Sequence, residues 1–524
     1  MAGLPAQWRR TLTVQARRAA AFLFSTPLYS LTLLDRRVPA IRFAPVDLWP
    51  GDPVLGEALA SGRAGAGIAD DFAGLRDLRA LGGDEARLAA RRLTQDWIAR
   101  NRRWSMPAWR GDILSQRIFS WLTHYDTFFA SGEDSFRRAL SRALAAQLCH
   151  LDRVLALETV GAARISALKG LVCGALGFGR DDMLDRALAR LHREIDEQIL
   201  PDGGHVERNP ALMLAVLRDL VEIRAALAGG QREVPEPIQQ AIDRMGPMLR
   251  YLRHGDGRLA HFNGSGGGEA AEIEAVLDQA SPRGRAASRA PATGFERLAA
   301  GGTLILADAG SPPPPPFDQG AHAGALSFEM SVGRDRMIVN CGAGGAAPAW
   351  RQAQRATAAH STAVVNERNS SEVLAGGCLG HRRAIVKTDR DAAEGAVLIN
   401  MVHDGYARSD GIVHRRRLYL AAGGDDLRGE DSLSSRAGIP FRLRFHLHPS
   451  VTASILQNGR SVLLRLPRGG GWRLRCTQPV TLEESVYFDN GAKPKRTLQI
   501  VVPGLTAGGE TTVKWAFRRE TRRG

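Results

Sequence analysis

The hydrophobic period changes once along this chain, and that change limits the fold more than any other feature. From about residue 85 to 255 apolar residues recur every three or four positions, as at Ala89, Leu93 and Trp97, or Met213, Leu217 and Leu220. This is the spacing of amphipathic helices. Beyond about residue 293 the apolar residues come in short alternating runs, such as Thr303-Leu304-Ile305-Leu306-Ala307, Met337-Ile338-Val339 and Leu498-Gln499-Ile500-Val501-Val502. Separated by Gly, Asn and Asp turns, they read as the strands of a large antiparallel β-sandwich. An α+β, multidomain chain follows, helical first and sheet second.

The joints refine this division. Gly132, Gly161, Gly170, the Pro201-Asp202-Gly203-Gly204 turn and Gly229-Gly230 break the first half into helical hairpins packed side by side, a stacked or ring-like array. Between 264 and 292 the chain turns Gly-rich, then acidic, then Ser/Pro/Arg/Ala-rich, a composition expected to bury little. The expected organisation is a lead-in over 1–84, a helical domain over 85–263, a polar linker over 264–292 and a sandwich over 293–524. At 524 residues the chain exceeds what one core organises. Pro312 to Pro316 reads as a stiff polyproline loop at the start of the sandwich.

Charge narrows the partners. Lys and Arg number 70 against 55 Asp and Glu, a net charge of +15 that attracts polyanions, whether nucleic acid, anionic membrane or acidic glycan. Aromatics make up 6% and do not interleave with the basic residues, and no RRM, zinc-finger or helix-turn-helix pattern is present, so nucleic acid is not expected. The five cysteines are scattered and form no CxxC pair, which indicates neither a disulfide framework nor a cysteine zinc site. Near the start, Arg9, Arg10, Arg17 and Arg18 precede a short apolar run over 19–24 without a clear cleavage site, so a secretory signal is not indicated. No stretch reaches the roughly 18 uncharged apolar residues of a membrane span.

Four constellations can carry chemistry. The first is the turn Asp202-Gly203-Gly204-His205-Val206-Glu207-Arg208-Asn209-Pro210, where Asn209 suits a helix cap and Pro210 a first turn. His205 and Glu207 are there either solvated or functional. The second, Asp256-Gly257-Arg258-Leu259-Ala260-His261-Phe262-Asn263-Gly264, offers Asn263 and backbone donors to an anion, or is a simple domain-end loop. The third gathers His322, Asn340 and His360. Two imidazoles and an amide oxygen can hold zinc, but Asn substitutes poorly for a carboxylate, so structural histidines are the favoured reading. The only metal expected is one structural zinc or calcium ion; no other cofactor is. The fourth is His403-Asp404-Gly405-Tyr406 with His414-Arg415-Arg416-Arg417, where a Tyr beside arginines can exchange protons or simply pack.

Taken in order, the 202–210 turn, the His322 to Glu329 strand, the Arg355 to Thr362 segment, the His403 to Tyr406 motif and Arg444-Phe445-His446-Leu447-His448-Pro449 resemble the heparinase II/III-like polysaccharide lyases. The resemblance covers most of the chain. It implies an N-terminal α/α-toroid followed by a C-terminal antiparallel β-sandwich, an acidic polysaccharide as partner, and cleavage by β-elimination, a carbon-oxygen lyase reaction. It implies that the catalytic set is His205, Glu207, Asn209, His261 and Tyr406, with Arg208, Arg258, Asn263 and Arg355 holding substrate. A residue of the 205–209 turn would neutralise the uronate carboxylate while a Tyr or His moves protons.

The chain departs from that pattern in three places. No Tyr stands between His261 and Ser265, only the second His of a His-x-His-x-Asp pattern remains at His322, and Asn340 replaces a metal-binding Asp. Either His261 or Tyr406 has taken over the base role, or the activity is altered or lost. The competing reading is a non-catalytic acidic-glycan-binding or envelope assembly protein, which would keep Arg208, Arg258 and Arg355. Family kinship points to the cell envelope or periplasm, and the absence of a clear signal peptide to the cytoplasm. Glycan identity and oligomeric state stay open.

Overall fold

The computed structural model describes residues 20–520 apart from 21, 34–38, 63–68, 159, 282–283, 346, 382, 457 and 492. Arg9, Arg10, Arg17 and Arg18 lie outside the described residues. The chain forms two compact units, residues 1–198 with 216–242, and residues 199–215 with 243–524.

The first unit is helical. Its helices include α1 (Pro53–Ser61), α2 (Leu75–Leu81), α3 (Gly83–Arg100), α4 (Gly111–Thr123), α5 (Asp134–Glu158), α6 (Ala162–Phe178) and α7 (Asp181–Gln198). Local chemistry starts α1: the Asp52 side chain accepts from Val54 N at 2.8 Å and Pro53 occupies the first turn. In α3 the buried positions Ala86, Ala89, Ala90, Thr94 and Trp97 form one stripe, as the period requires. Helix α6 is buried nearly all round and brings a charge with it. Lys169 is held by Asp219 and Glu222 at 2.6 Å each, and Gln116 takes a third bond at 3.1 Å. A buried ammonium persists only when its three donors are satisfied in this way. Among the described residues no helix is long and apolar enough to cross a membrane.

Helices α8 (Pro210–Gly229) and α9 (Glu236–Tyr251) follow, then α10 (Ala270–Ala280). Helix α10 lies within the stretch expected to bury little. Ile273, Val276, Leu277 and Ala280 are buried along it, an i, i+3, i+4, i+7 stripe masked in the sequence by flanking Gly and Ser/Pro/Arg residues.

The second unit is built on a sheet, antiparallel except where β5 runs parallel to β14, of strands β1 (Phe295–Ala300), β2 (Thr303–Asp308), β3 (Phe328–Val332), β4 (Asp335–Val339), β5 (Gly342–Gly344), β6 (Ala363–Val365), β7 (Val386–Ala393), β8 (Ala396–Tyr406), β9 (Ile412–Leu420), β10 (Asp426–Leu447), β11 (Thr452–Ile455), β12 (Ser461–Arg465), β13 (Gly471–Cys476), β14 (Thr481–Gly491) and β15 (Lys495–Arg519). The long strands β10 and β15 pair from Asp426↔Arg518 to His446↔Gln499, with a register shift between Ala437 and Pro440. On one side of that shift they pair with β9 and β13, on the other with β4, β6 and β14. One hydrogen-bonded ladder thus serves two layers, the bulge letting both strands bend between them. The layers meet face to face: Phe328 of β3 stacks on Trp515 of β15, ring centroids 5.6 Å apart. Leu298, Ile305, Met337, Ile399, Leu418, Leu427 and Phe517 join the same core. The helical half and the antiparallel sheet half of the expected architecture are both present.

Candidate functional site

The candidate site lies in the second unit, where residues 199–210 and 252–268 meet strands β2, β3 and β4. The Asp202-Gly203-Gly204 turn is built for close approach. A Cβ on Gly204 would lie 1.7 Å from Thr293 Oγ1, and one on Gly203, whose φ is 85°, 2.1 Å from the Arg244 carbonyl oxygen. Only glycine fits either place. The Asp202 carboxylate accepts from Gly204 N, Thr293 N and Thr293 Oγ1 at 3.1, 2.7 and 2.6 Å. The turn then enters α8, where Asn209 Oδ1 caps Ala211 N and Leu212 N at 2.9 and 3.1 Å.

Several expected ligand groups are committed elsewhere. Arg208 donates to the carbonyls of Thr293, Gly294, Gly310 and Ser311 and to Asp308 Oδ1 at 2.5 Å. All five of its N–H groups are used, so the expectation that it holds substrate is corrected: no donor is left for a glycan carboxylate. Arg208 has a φ of 53°, a strained conformation for a non-glycine residue, which these bonds hold in place. Arg258 is paired with Asp489 at 2.8 Å and donates to the Gly268 carbonyl at 2.7 Å. His205 is buried, its Nδ1 accepts from Glu207 N at 3.3 Å, and burial lowers its pKa to about 3. Glu207 is half-buried beside it.

A different set converges over Gly264, which is half-buried with a φ of 84°. A Cβ there would lie 3.4 Å from His322 Nε2 and 3.5 Å from both Asn209 Nδ2 and the Gly320 carbonyl oxygen. Glycine therefore leaves a cradle about one methyl group across, walled by an imidazole nitrogen, an amide nitrogen and a carbonyl. Asn263 frames it in a left-handed conformation, its side chain accepting from His322 N and donating to the Arg208 carbonyl, both at 3.2 Å. Asn209 Nδ2 spends one hydrogen on the Asn263 carbonyl at 2.8 Å and keeps a second.

The hydrogen-bond chain fixes the tautomers. His360 Nδ1 donates to the Ala356 carbonyl at 2.8 Å, because a carbonyl only accepts. His360 Nε2 must then accept from His322 Nδ1 at 3.1 Å, which leaves His322 Nε2 unprotonated at the cradle. Burial, then the neighbouring His360 and Arg355, hold His322 well below the ordinary histidine range. Arg355 donates Nε to the Ala321 carbonyl at 2.8 Å, while its buried Nη2 has no hydrogen-bond partner.

Behind the cradle stands Glu329, fully buried. It accepts from His254 Nε2 and Asn340 N at 3.0 Å and from His261 N at 3.1 Å, with Arg336 Nη1 at 4.0 Å. Burial raises its pKa, but these donors outweigh that and bring it to about 2. His261 is buried with neither ring nitrogen hydrogen-bonded, and burial takes it to about 4. Its ring packs against Tyr487 of β14, centroids 5.2 Å apart. No sequence signal near His261 marked Tyr487, because the contact is between residues 226 positions apart.

The residues expected to hold a metal are engaged with one another and with the backbone. Asn340 Oδ1 accepts from Ser361 N at 2.9 Å and its Nδ2 donates to the His261 carbonyl at 3.1 Å, while His322 and His360 bond to each other. The three present no common set of lone pairs, and among the described residues no group of three or more His, Cys, Asp or Glu can hold a metal ion. Tyr406 lies apart, in the sandwich core, its hydroxyl donating to the Ala363 carbonyl at 2.9 Å. The nearby His403, His414 and Arg416 form an interior network on Asp431, which accepts from His414 and Arg416 at 2.7 Å each.

A helical N-terminal region followed by an antiparallel sandwich is the architecture of the polysaccharide lyases of the heparinase type, and solved structures match it. The fold superposes on a heparinase III gene product with a TM-score of 0.67, covering 90% of this chain and 85% of that one at 13% identity. On the heparan sulfate lyase HepC from Pedobacter heparinus the TM-score is 0.61, covering 97% and 88% at 15% identity. The family model "Heparinase II/III-like, C-terminal" matches residues 282–516. FtsZ-localized protein C of Caulobacter vibrioides (strain NA1000 / CB15N) is 35% identical over 447 residues, 81% of this chain and 76% of that protein. This chain belongs to the heparinase II/III-like family.

Proposed function

We propose that this protein binds an acidic, uronate-containing polysaccharide at the Gly264 cradle and cleaves it by β-elimination, acting at the cell envelope. The observation that carries the reading is the unprotonated His322 Nε2 facing the cradle beside the spare hydrogen of Asn209 Nδ2. In elimination the uronate carboxylate must be neutralised so that the carbon next to it can release a proton. The spare hydrogen of Asn209 Nδ2 meets that carboxylate, with the Arg355 charge acting on the neighbouring His322. His322 Nε2 takes the proton, the freed electron pair forms the carbon-carbon double bond, and the glycosidic bond breaks. The resulting imidazolium then returns its proton to the leaving oxygen. His360 holds the ring in the tautomer this requires.

The test is the ultraviolet absorbance of the unsaturated product during incubation with a panel of uronate polysaccharides. The expected result is a rise with the wild-type protein that His322→Ala and Asn209→Ala abolish; a rise unaffected by either change would refute the assignment. A second reading, a glycan-binding or assembly protein without turnover, draws support from two observations. The depressed basicity of His322 weakens it as a proton acceptor, and the relative at 35% identity is named for its localisation with FtsZ, not for cleavage.

A further inference from the structure

The outward side of the β8-β9-β10-β15-β13 layer carries a groove of about 600 Å³. Strand register orders its walls in two rows across the sheet. In the first, Tyr419 faces Arg428, Arg428 faces Ala516, and Ala516 faces Arg475. In the second, Arg417 faces Glu430 and Glu430 faces Lys514. The small Ala516 makes a floor between two arginines, and the Arg428 guanidinium lies 5.7 Å from the centre of the Tyr419 ring. Four cations line the groove: Arg417 and Lys514 share Glu430 at 3.4 and 3.6 Å, and Arg428 pairs with Asp426 at 2.9 Å. Among the described residues Arg475 has no ion pair at all, and the heads of Arg428 and Lys514 are 57% and 68% exposed.

We propose that this groove is a second, non-catalytic binding site for the carboxylate or sulfate groups of an acidic polysaccharide. Two features favour a saccharide among polyanions. Neighbouring strands lie roughly 4.8 Å apart, so the two cations of each row, separated by one intervening strand, stand roughly 10 Å apart, close to the length of two linked pyranose rings. The half-buried ring of Tyr419 and the aliphatic stems of Arg428 and Arg475 form an apolar strip on which a sugar face can rest. Single-stranded nucleic acid would need successive aromatic platforms, and the groove has one. The site shares no residue with the Gly264 cradle. It would hold a long chain in place while the cradle acts on one linkage, raising effective concentration at the cradle by tethering. The inference rests on the acidic-glycan reading above, although not on elimination.

The experiment uses full-length protein carrying His322→Ala, so that no turnover intervenes, titrated calorimetrically with size-defined heparan sulfate and polygalacturonate oligosaccharides. Adding Arg428→Ala with Arg475→Ala should weaken binding about tenfold and flatten its salt dependence, with thermal unfolding unchanged because both side chains are exposed. Binding within twofold of the parent overturns the groove, and so does equally tight binding of single-stranded DNA with the same sensitivity to the double change. Loss of elimination in the wild-type protein, with groove-dependent binding intact, would sink the catalytic reading alone. Elimination intact, with binding indifferent to the groove, would sink this inference alone.

Discussion

Replacing Glu329 by Gln isolates the group that anchors the 254–263 loop to the sheet. The carboxylate accepts from His254 Nε2, His261 N and Asn340 N, and Gln keeps the shape while losing the charge and turning one acceptor into a donor. Burial lowers the pKa of His254, and the Glu329 carboxyl is lowered first by the His254 hydrogen bond, then by His261, His254 and Arg336. A carboxyl held at about 2 instead of 4.5 favours the charged form by about 3 kcal/mol, the expected loss on substitution at pH 7. The sign follows from linkage: a carboxylate with a depressed folded-state pKa stabilises above its unfolded value and loses that contribution as pH falls. The gap between wild type and Glu329→Gln should be constant from pH 7 to 5, narrow below 4.5 and vanish near 2. Urea unfolding followed by tryptophan fluorescence at several pH values measures it. A loss below about 1 kcal/mol, or a gap that ignores pH in that window, would refute the reasoning.

Arg208→Met should destabilise the protein by about 3–5 kcal/mol, because it leaves Asp308 charged and buried without its partner; an unfolding curve unchanged by the substitution would return Arg208 to substrate binding. Burial holds His261 and His360 at about 4 and His205 and His446 at about 3. Each is neutral in the fold and protonates more readily unfolded, so stability is full above pH 6.5 and falls between 6.5 and these values. Calorimetry should show the unfolding temperature dropping steeply across that range, and a flat profile would contradict the burial. Gly264→Ala fills the cradle at ordinary contact distances, and its positive φ costs about 1 kcal/mol. It should leave the protein folded by circular dichroism and abolish elimination, whereas retained activity would move the site elsewhere.

The order of the architecture was legible because hydrophobic period is a local property. In β9 the inward residues Ile412, His414, Arg416, Leu418 and Leu420 alternate with outward Arg415, Arg417 and Tyr419, as a half-buried strand must. The same alternation puts His414 and Arg416 in the core, a placement hidden by their polarity, since their partner Asp431 lies on another strand. The site was legible in part. Asn209 was readable as a cap from Pro210 beside it, and His322 and His360 as a converging pair. The commitment of Arg208 was not, because four of its five acceptors are backbone carbonyls some hundred residues away, and carbonyls carry no sequence signal. Glu329 left a cue, a charged residue inside the run Leu326-Ser327-Phe328-Glu329-Met330, where an acid survives only if buried donors meet it.

Elimination at the Gly264 cradle can be followed by proton NMR of a uronate oligosaccharide incubated with the protein in deuterium oxide. A new vinylic proton signal is expected to appear in step with loss of the signal from the proton beside the uronate carboxylate, with neither change for His322→Ala. New reducing ends without a vinylic signal, or an oligosaccharide that binds and stays intact, would contradict it.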